Sequence, residues 1–425
     1  MAPLVIQKHT VTLLQKIIGK LVMLAGELAH AVEHDHRATA FFSQKVFIED
    51  PDIAKAGEIA ADPAIVQRLA NALHAPVKIR VLDDIQGIVW HKFHDNTSKI
   101  LLKDKKVGMI MTSKRKFNLK SVLVILLIVI IDFCATSMVA TKIIYDSIFV
   151  RYDGAPIEVP QQLENMVASR QDSDFLSGEN TLNGYLYRCE NNPNGNLVLI
   201  APGFHAGADN FLWQIRSFLD MGYSVFVFDA TGHCGSEGKS AVGFPQLLAD
   251  VENALKHIEN HGRFGYNHIV LFGHSQGGYA VTCALEGNFD VSAVISVSGI
   301  NSAMDGIIGK AKAFAGPVVY GNYGILWLYK TLLFGGDIAN RKAVSAINES
   351  GVPTLIVHGT HDTAVPMDEF SIISHKEDIT AQDTAYYLCD EPQQDGHTDL
   401  LFDADGTAND ELMAVIGEFL TEHVK

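Results

Sequence analysis

The order of apolar and polar residues divides the chain into three stretches. From Thr10 to about Glu33, Leu13, Leu14, Ile17, Ile18, Leu21, Val22, Leu24 and Leu28 recur at helical spacing. A second helix is predicted from Asp62 to Leu73, with Pro63 in its first turn, where a missing N–H costs nothing. Val77–Val81 and Ile85–Trp90 fit short strands, so residues 1–110 read as a small α+β region of unknown role. The second stretch is apolar: Val122 to Ile131 without a break and, past Asp132, Phe133 to Ala140. A polar connection from Arg151 to Ser177 leads into the third stretch, where strands and helices alternate. Strands are predicted at Gly184–Cys189, Asn196–Ala201, Ser224–Asp229, His268–Gly273, Ser292–Ser298, Thr354–His358 and Thr384–Cys389. Helices are predicted around Asp209–Met221, Phe244–His261, Gln276–Leu285 and Asn409–His423. Leu197–Ile200, Val225–Phe228 and Ile269–Phe272 are continuous apolar runs, the pattern of strands buried on both faces of a parallel sheet. The expected fold class is α/β, a doubly wound and mostly parallel sheet with right-handed crossovers. In such sheets reactive groups gather at the C-terminal strand ends.

The apolar stretch matches the ~20 residues needed to cross a bilayer. Its awkward member is Asp132, since a carboxylate at mid-membrane costs roughly 3 kcal/mol. Upstream lie Lys103, Lys105, Lys106, Lys114, Arg115, Lys116 and Lys120 against Asp104. Positive charge stays cytoplasmic, so a transmembrane helix over about 121–145 places everything after Ile144 outside. An uncleaved anchor is the expectation. A cleaved signal peptide, with Ala135-Thr136-Ser137 as a passable small-x-small site, and a buried core helix are the alternatives. The segment Met111-Thr112-Ser113-Lys114-Arg115-Lys116 reads like the start of an exported or anchored protein. Residues 1–110 are then a fused small domain or an upstream extension.

Composition excludes one class of partner. Over 425 residues the formal net charge is −16, opposite to what phosphate binding needs, so nucleic acid is not expected. Hydrophobic residues at 48% and charged residues at 19% leave ample material for a core, which rules out bulk disorder. Cys134, Cys189, Cys234, Cys283 and Cys389 form no CxxC pair and no zinc-like grouping. His30-Ala31-Val32-Glu33-His34 matches the H-x-x-E-H zinc pattern, whose histidines share one helix face. No downstream acid accompanies it, and a solvated, histidine-rich helix end is expected there. Neither a metal nor a cofactor is expected.

The chemistry concentrates in the third stretch. Gly273-His274-Ser275-Gln276-Gly277 follows an apolar strand and opens a helix, the context that the G-x-S-x-G nucleophile elbow requires. A sharp strand-to-helix turn lifts the serine hydroxyl clear of the sheet, and a side chain at either glycine would clash across the turn. Ser275 is the predicted nucleophile. The remaining triad members should follow in the order acid, histidine. Asp362 ends the apolar strand Thr354–His358 in a Gly-containing loop, and His397 lies between the last strand and the last helix. The imidazole would take the serine proton, and the carboxylate would fix its tautomer. Asp395 and Asp399 flank His397 but lie too near in sequence to face its ring, and His358 and His361 read as loop structure. For the oxyanion hole, one amide is that of Gln276. The other is assigned to Phe204 in Pro202-Gly203-Phe204-His205, with His205 as the alternative.

The succession of Pro202-Gly203-Phe204, Asp229-Ala230-Thr231-Gly232-His233-Cys234-Gly235-Ser236-Glu237-Gly238, Gly273-His274-Ser275-Gln276-Gly277-Gly278, His358-Gly359-Thr360-His361-Asp362 and Gly396-His397 resembles the serine aminopeptidase and monoglyceride-lipase-like branch of the α/β-hydrolases. The resemblance runs from about Gly184 to Lys425 and is greatest to membrane-anchored bacterial members with a short basic leader. It implies hydrolysis of a carboxylic ester or similar acyl bond, and a turn-shaping role for Asp229, Gly232 and Ser236. Pro202 stands where a histidine is commoner in the branch. The hydrolase domain is expected over 151–425, with a cap at about 299–350. Tyr320, Tyr323 and Trp327 in that aromatic segment are the candidate substrate-binding residues of an acyl-binding lid, and simple packing of the cap onto the core is the alternative. The expected partner is a small-molecule acyl substrate. Rival readings are a peptidase acting on short peptides, which needs an acidic pocket for a substrate amine, and a silent α/β-hydrolase used as a binding module.

Overall fold

The longest apolar run becomes the longest helix. In a computed structural model that describes residues 88–92, 98–102, 119–154, 157–191 and 193–425, helix α1 runs from Leu119 to Ile148. Its part Ile125–Ile148, 24 residues of mean hydropathy 2.0, is long and apolar enough to cross a membrane. Leu126, Leu127, Ile131, Phe133 and Val139 all stand exposed, the opposite of what a core helix does with such side chains. Among its described side chains, α1 buries those near its end: Thr141, Tyr145 and, just past it, Phe149.

The chain divides into two compact units, residues 1–123 and 124–425. In the first, strands β1 (Ile88–Lys92) and β2 (Ser98–Leu102) form an antiparallel hairpin with Ile88 opposite Leu102. The helices predicted at Thr10–Glu33 and Asp62–Leu73, the strand at Val77–Val81 and the His30–His34 motif lie outside the described residues.

In the second unit the predicted alternation appears with shifts of a few residues at element ends. Past the short helix α2 (Glu164–Ser169) come β3 (Gln171–Asp172), β4 (Phe175–Ser177), β5 (Asn180–Leu182) and β6 (Gly184–Tyr187). Then follow β7 (Leu197–Ala201), α3 (Leu212–Asp220), β8 (Ser224–Phe228), α4 (Phe244–Asn260), β9 (Ile269–His274), α5 (Gln276–Cys283) and β10 (Ala293–Val297). The cap segment folds as α6 (Ala303–Ala315), α7 (Tyr323–Phe334), α8 (Gly336–Asn340) and α9 (Ala343–Ser350), and β11 (Thr354–Gly359), β12 (Thr384–Cys389) and α10 (Asp410–His423) close the chain. The sheet has eight strands in the order β12-β11-β10-β9-β7-β8-β6-β3. Strands β7 to β12 pair in parallel, and β6 and β3 add an antiparallel edge. The stretch read as a polar connection, Arg151 to Ser177, contributes β3 to that edge. Its strands are two or three residues long, too short to carry an alternation.

Both faces of the sheet are covered. Along β7, Leu197, Leu199 and Ala201 face a core shared with α4, α5 and α9, while Val198 and Ile200 face one shared with α3 and α10. That two-sided burial is why the strands read as unbroken apolar runs. The cap is tied to the body by a buried charge cluster. The Arg341 guanidinium, between α8 and α9, donates to Glu252 of α4, lies 3.5 Å from Glu286, and donates to Asp337 at 2.9 Å. Arg341 and Glu252 are both buried, so removing one partner strands the other's charge. Arg341→Met is expected to destabilise the protein by about 3–5 kcal/mol. Adding Glu252→Leu should restore part of that, and thermal unfolding of the full chain in detergent reads both.

Candidate active site

Ser275 sits at the turn between β9 and α5 with φ 58° and ψ −115°, a conformation that L-residues rarely adopt. The glycines beside it make that turn possible. A Cβ on Gly273 would lie 2.3 Å from the Gly277 carbonyl oxygen, and one on Gly277 would lie 2.1 Å from the Ala201 oxygen at the end of β7. Both approaches are far inside van der Waals contact. The Ser275 amide donates to the Val297 oxygen at 2.8 Å, which ties the turn to β10 as well.

Asp362 and His397 meet the serine there. The His397 Nε2 lies 2.9 Å from Ser275 Oγ, and its Nδ1 lies 2.7 Å from Asp362 Oδ2. With the ring proton on Nδ1, that nitrogen donates to the carboxylate and Nε2 accepts from the serine hydroxyl. The second carboxylate oxygen of Asp362 accepts from the amides of Ala364 and Val365 at 2.9 and 2.8 Å. Burial alone would push this carboxyl upward. The His397 hydrogen bond and charge, with help from the Val365 amide and His358, outweigh burial and hold its pKa below the usual carboxylate value. Asp395 is engaged elsewhere, 2.7 Å from His361 Nδ1.

Two histidines that the sequence reading did not assign to the site brace it. His274 is wholly encased, and its Nε2 lies 2.8 Å from the His397 carbonyl oxygen. Burial, with the His397 charge adding to it, lowers its pKa to about 3, so it stays neutral and donates. His358 Nε2 donates to the Val365 oxygen at 3.0 Å and lies 3.4 Å from Asp362 Oδ2. Its position at the end of β11 was visible, but its contact with Asp362 depends on how the following loop folds back.

The two candidate oxyanion donors flank the serine. The amides of Phe204 and Gln276 donate to no partner among the described residues, whereas the His205 amide points to His233 Nε2 at 3.4 Å. Gly203 packs against the elbow, where a Cβ would stand 3.5 Å from Ser275 Cβ. In the Asp229 loop, Asp229 accepts from the Ala208 amide at 2.8 Å and Ser236 Oγ donates to the Asp229 oxygen at 2.6 Å, bonds that shape a turn.

A pocket opens beside Ser275 and His397, walled by Phe204, Phe244, Ile300, Ala364, Val365 and Phe370 and by Asp305, Gly306, Gly309 and Lys310 of α6. The predicted substrate-binding residues are not among them. Tyr320, Tyr323 and Trp327 stand on the outer surface, 49%, 47% and 43% exposed. An apolar, aromatic helix signals that something covers it but not from which side. The cap reaches the pocket through α6, whose glycines carry no such signal.

The sheet order, with its antiparallel edge and its strand-turn-helix serine, is that of the α/β-hydrolase fold. Residues 192–320 match the family described as serine aminopeptidase, S33. No curated protein matches the sequence. Among solved structures, an esterase of Pyrococcus furiosus, Pf2001, is similar at 17% identity and TM-score 0.49, over 65% of this chain and 100% of that one. The α/β hydrolase GrgF from Penicillium sp. sh18 is similar at 16% identity and TM-score 0.45, over 60% and 98%. Est1E from Butyrivibrio proteoclasticus, bound to ferulic acid, is similar at 19% identity and TM-score 0.44, over 59% and 98%.

Proposed function

We propose that this protein cleaves a carboxylic ester through an acyl-enzyme on Ser275, with His397 as general base and Asp362 as its orienting acid. The observation that carries the reading is the hydrogen-bonded chain from Ser275 Oγ through His397 to Asp362, at 2.9 and 2.7 Å. Attack on the acyl carbon passes the serine proton to His397 Nε2. Asp362 then stabilises the imidazolium without taking its proton. The negative charge that develops on the substrate oxygen falls to the Phe204 and Gln276 amides, the latter at the positive end of α5. His397 returns the proton to the leaving group, and water repeats the sequence to release the acid.

An ester suits the pocket better than a peptide amine. The Asp305 carboxylate is the pocket's acid, and it is already occupied by the Ser302 hydroxyl at 2.6 Å, with burial pushing its pKa up. Much of the remaining wall is apolar.

The same reading places the enzyme on a membrane, held by α1 with the domain on the outer side. The end of α1 packs against the pocket wall: Phe149 lies 5.7 Å from the Phe204 ring and 5.6 Å from the Phe244 ring. Helix α7 also lies next to this helix. Asn322 donates to Thr141 Oγ1 at 2.7 Å, and the Tyr329 and Tyr145 rings are 5.2 Å apart. Exposed Trp327, Leu328, Leu332 and Leu333 on α7 would be costly in water. Aromatic and leucine side chains beside a span fit the interfacial layer of the bilayer.

A fluorophosphonate probe should label the full chain in detergent at Ser275 and fail to label Ser275→Ala. His397→Ala should lower kcat by roughly 10⁴-fold or more. Absence of labelling in the folded protein would favour a silent binding module. Faster turnover of aminoacyl-p-nitroanilides than of p-nitrophenyl esters would favour the peptidase. For the membrane reading, brominated phospholipids in reconstituted vesicles should quench a fluorescence component that Trp327→Phe removes. Equal quenching of the two proteins would show that α7 stays out of the lipid.

A further inference from the structure

One charged group in the pocket rests against an aromatic ring and has no anionic partner among the described residues. Lys310 lines the pocket together with Ser275 and His397, yet its ammonium makes no hydrogen bond and no ion pair with a described residue. Its neighbour Lys312, by contrast, pairs with Glu369 at 2.8 Å. Lys310 Nζ stands 5.3 Å from the centroid of the Phe204 ring, the residue whose amide faces the reacting centre in the proposed mechanism. Burial lowers the Lys310 pKa, and the more distant charge of Asp362 offsets only part of that. The other charged residue that α6 brings to the pocket is Asp305. Its carboxylate accepts from the Ser302 hydroxyl at 2.6 Å and pairs with no lysine of the pocket.

A partly desolvated ammonium facing apolar walls is unfavourable until an anion meets it. Placed on α6 with Gly306 and Gly309 at helical spacing, Lys310 shares their pocket-facing side, and Gly306 lets Ile300 and Phe244 close the wall beside it, where a Cβ would lie 2.5 and 2.7 Å from their side chains. We propose that Lys310 forms an anion subsite, selecting esters that carry a carboxylate or similar negative group within reach of the reacting carbonyl. Apolar contacts would hold the intervening carbons, and the ammonium would hold the charge. The same subsite repels an N-terminal amine, which deepens the ester reading above and rests on it.

The test compares substrates that differ by one charge, using the full chain in detergent. For the acyl side the pair is p-nitrophenyl hemisuccinate against p-nitrophenyl butyrate. For the alcohol side it is 3-carboxy-4-nitrophenyl butyrate against p-nitrophenyl butyrate. In at least one pair the anionic-to-neutral ratio of kcat/KM should fall at least ~10-fold in Lys310→Met. Lys310→Arg should largely keep the ratio, and the pair that responds tells which side carries the anion. Lys310→Gln serves as a second neutral variant, and fluorophosphonate labelling reports that each variant is folded. Ratios that stay the same in both pairs, with Ser275 still labelled and the esters still cleaved, overturn the anion subsite alone. If Ser275→Ala cleaves the esters as fast as the unaltered chain, the acyl-enzyme reading fails and the subsite with it.

Discussion

The backbone of Ser275 is held in a conformation that it would not choose alone, and the sheet around it is built to keep it there. The cost of such a residue is of order 1–3 kcal/mol, so surrounding structure must over-determine it. Here the constraint comes from both sides. Gly277 lets the elbow press against the end of β7, and the Ser275 amide bonds to β10. The central position of β9 between those strands makes this possible. Strands buried on both faces cannot shift to relieve the strain, because every core side chain would have to move with them.

Around that fixed point the electrostatics are arranged to keep one polarity. Asp362 stays ionised although buried, because His397 and two backbone amides stabilise its charge. His274 and His358 are held neutral by burial and act as donors and spacers rather than as competing bases. The site therefore contains several imidazoles, but only that of His397 reaches the serine hydroxyl.

The cap has two sides with different chemistry. Its inner surface, α6, brings glycines and a lysine to the pocket, and its outer surface, α7, exposes tryptophan, tyrosine and leucine beside α1. Phe149, just past the apolar helix, packs its ring 5.7 Å from that of Phe204. The turn that follows the helix thus packs against the pocket wall. Arg341, paired with Glu252, fixes the cap's far end to the body.

Sheet strands such as Leu197–Ala201 and Ile269–His274 were legible because two-sided burial leaves an unbroken apolar run in the sequence. The Ser275 elbow was legible because the turn admits only glycine at its flanks. Local sterics and hydrophobic burial leave marks in the residues themselves, so the α/β alternation and the apolar helix could be read from the chain alone. The edge strands β3 to β5 could not, being too short for a period. Nor could the direction in which Tyr320, Tyr323 and Trp327 point, or the entry of Lys310 into the pocket. Those depend on how α6 and α7 lie against the body, a packing decision made between residues distant in sequence. The same is true of the bracing of Asp362 by His358 and of His397 by His274, which only chain segments meeting in three dimensions could bring about.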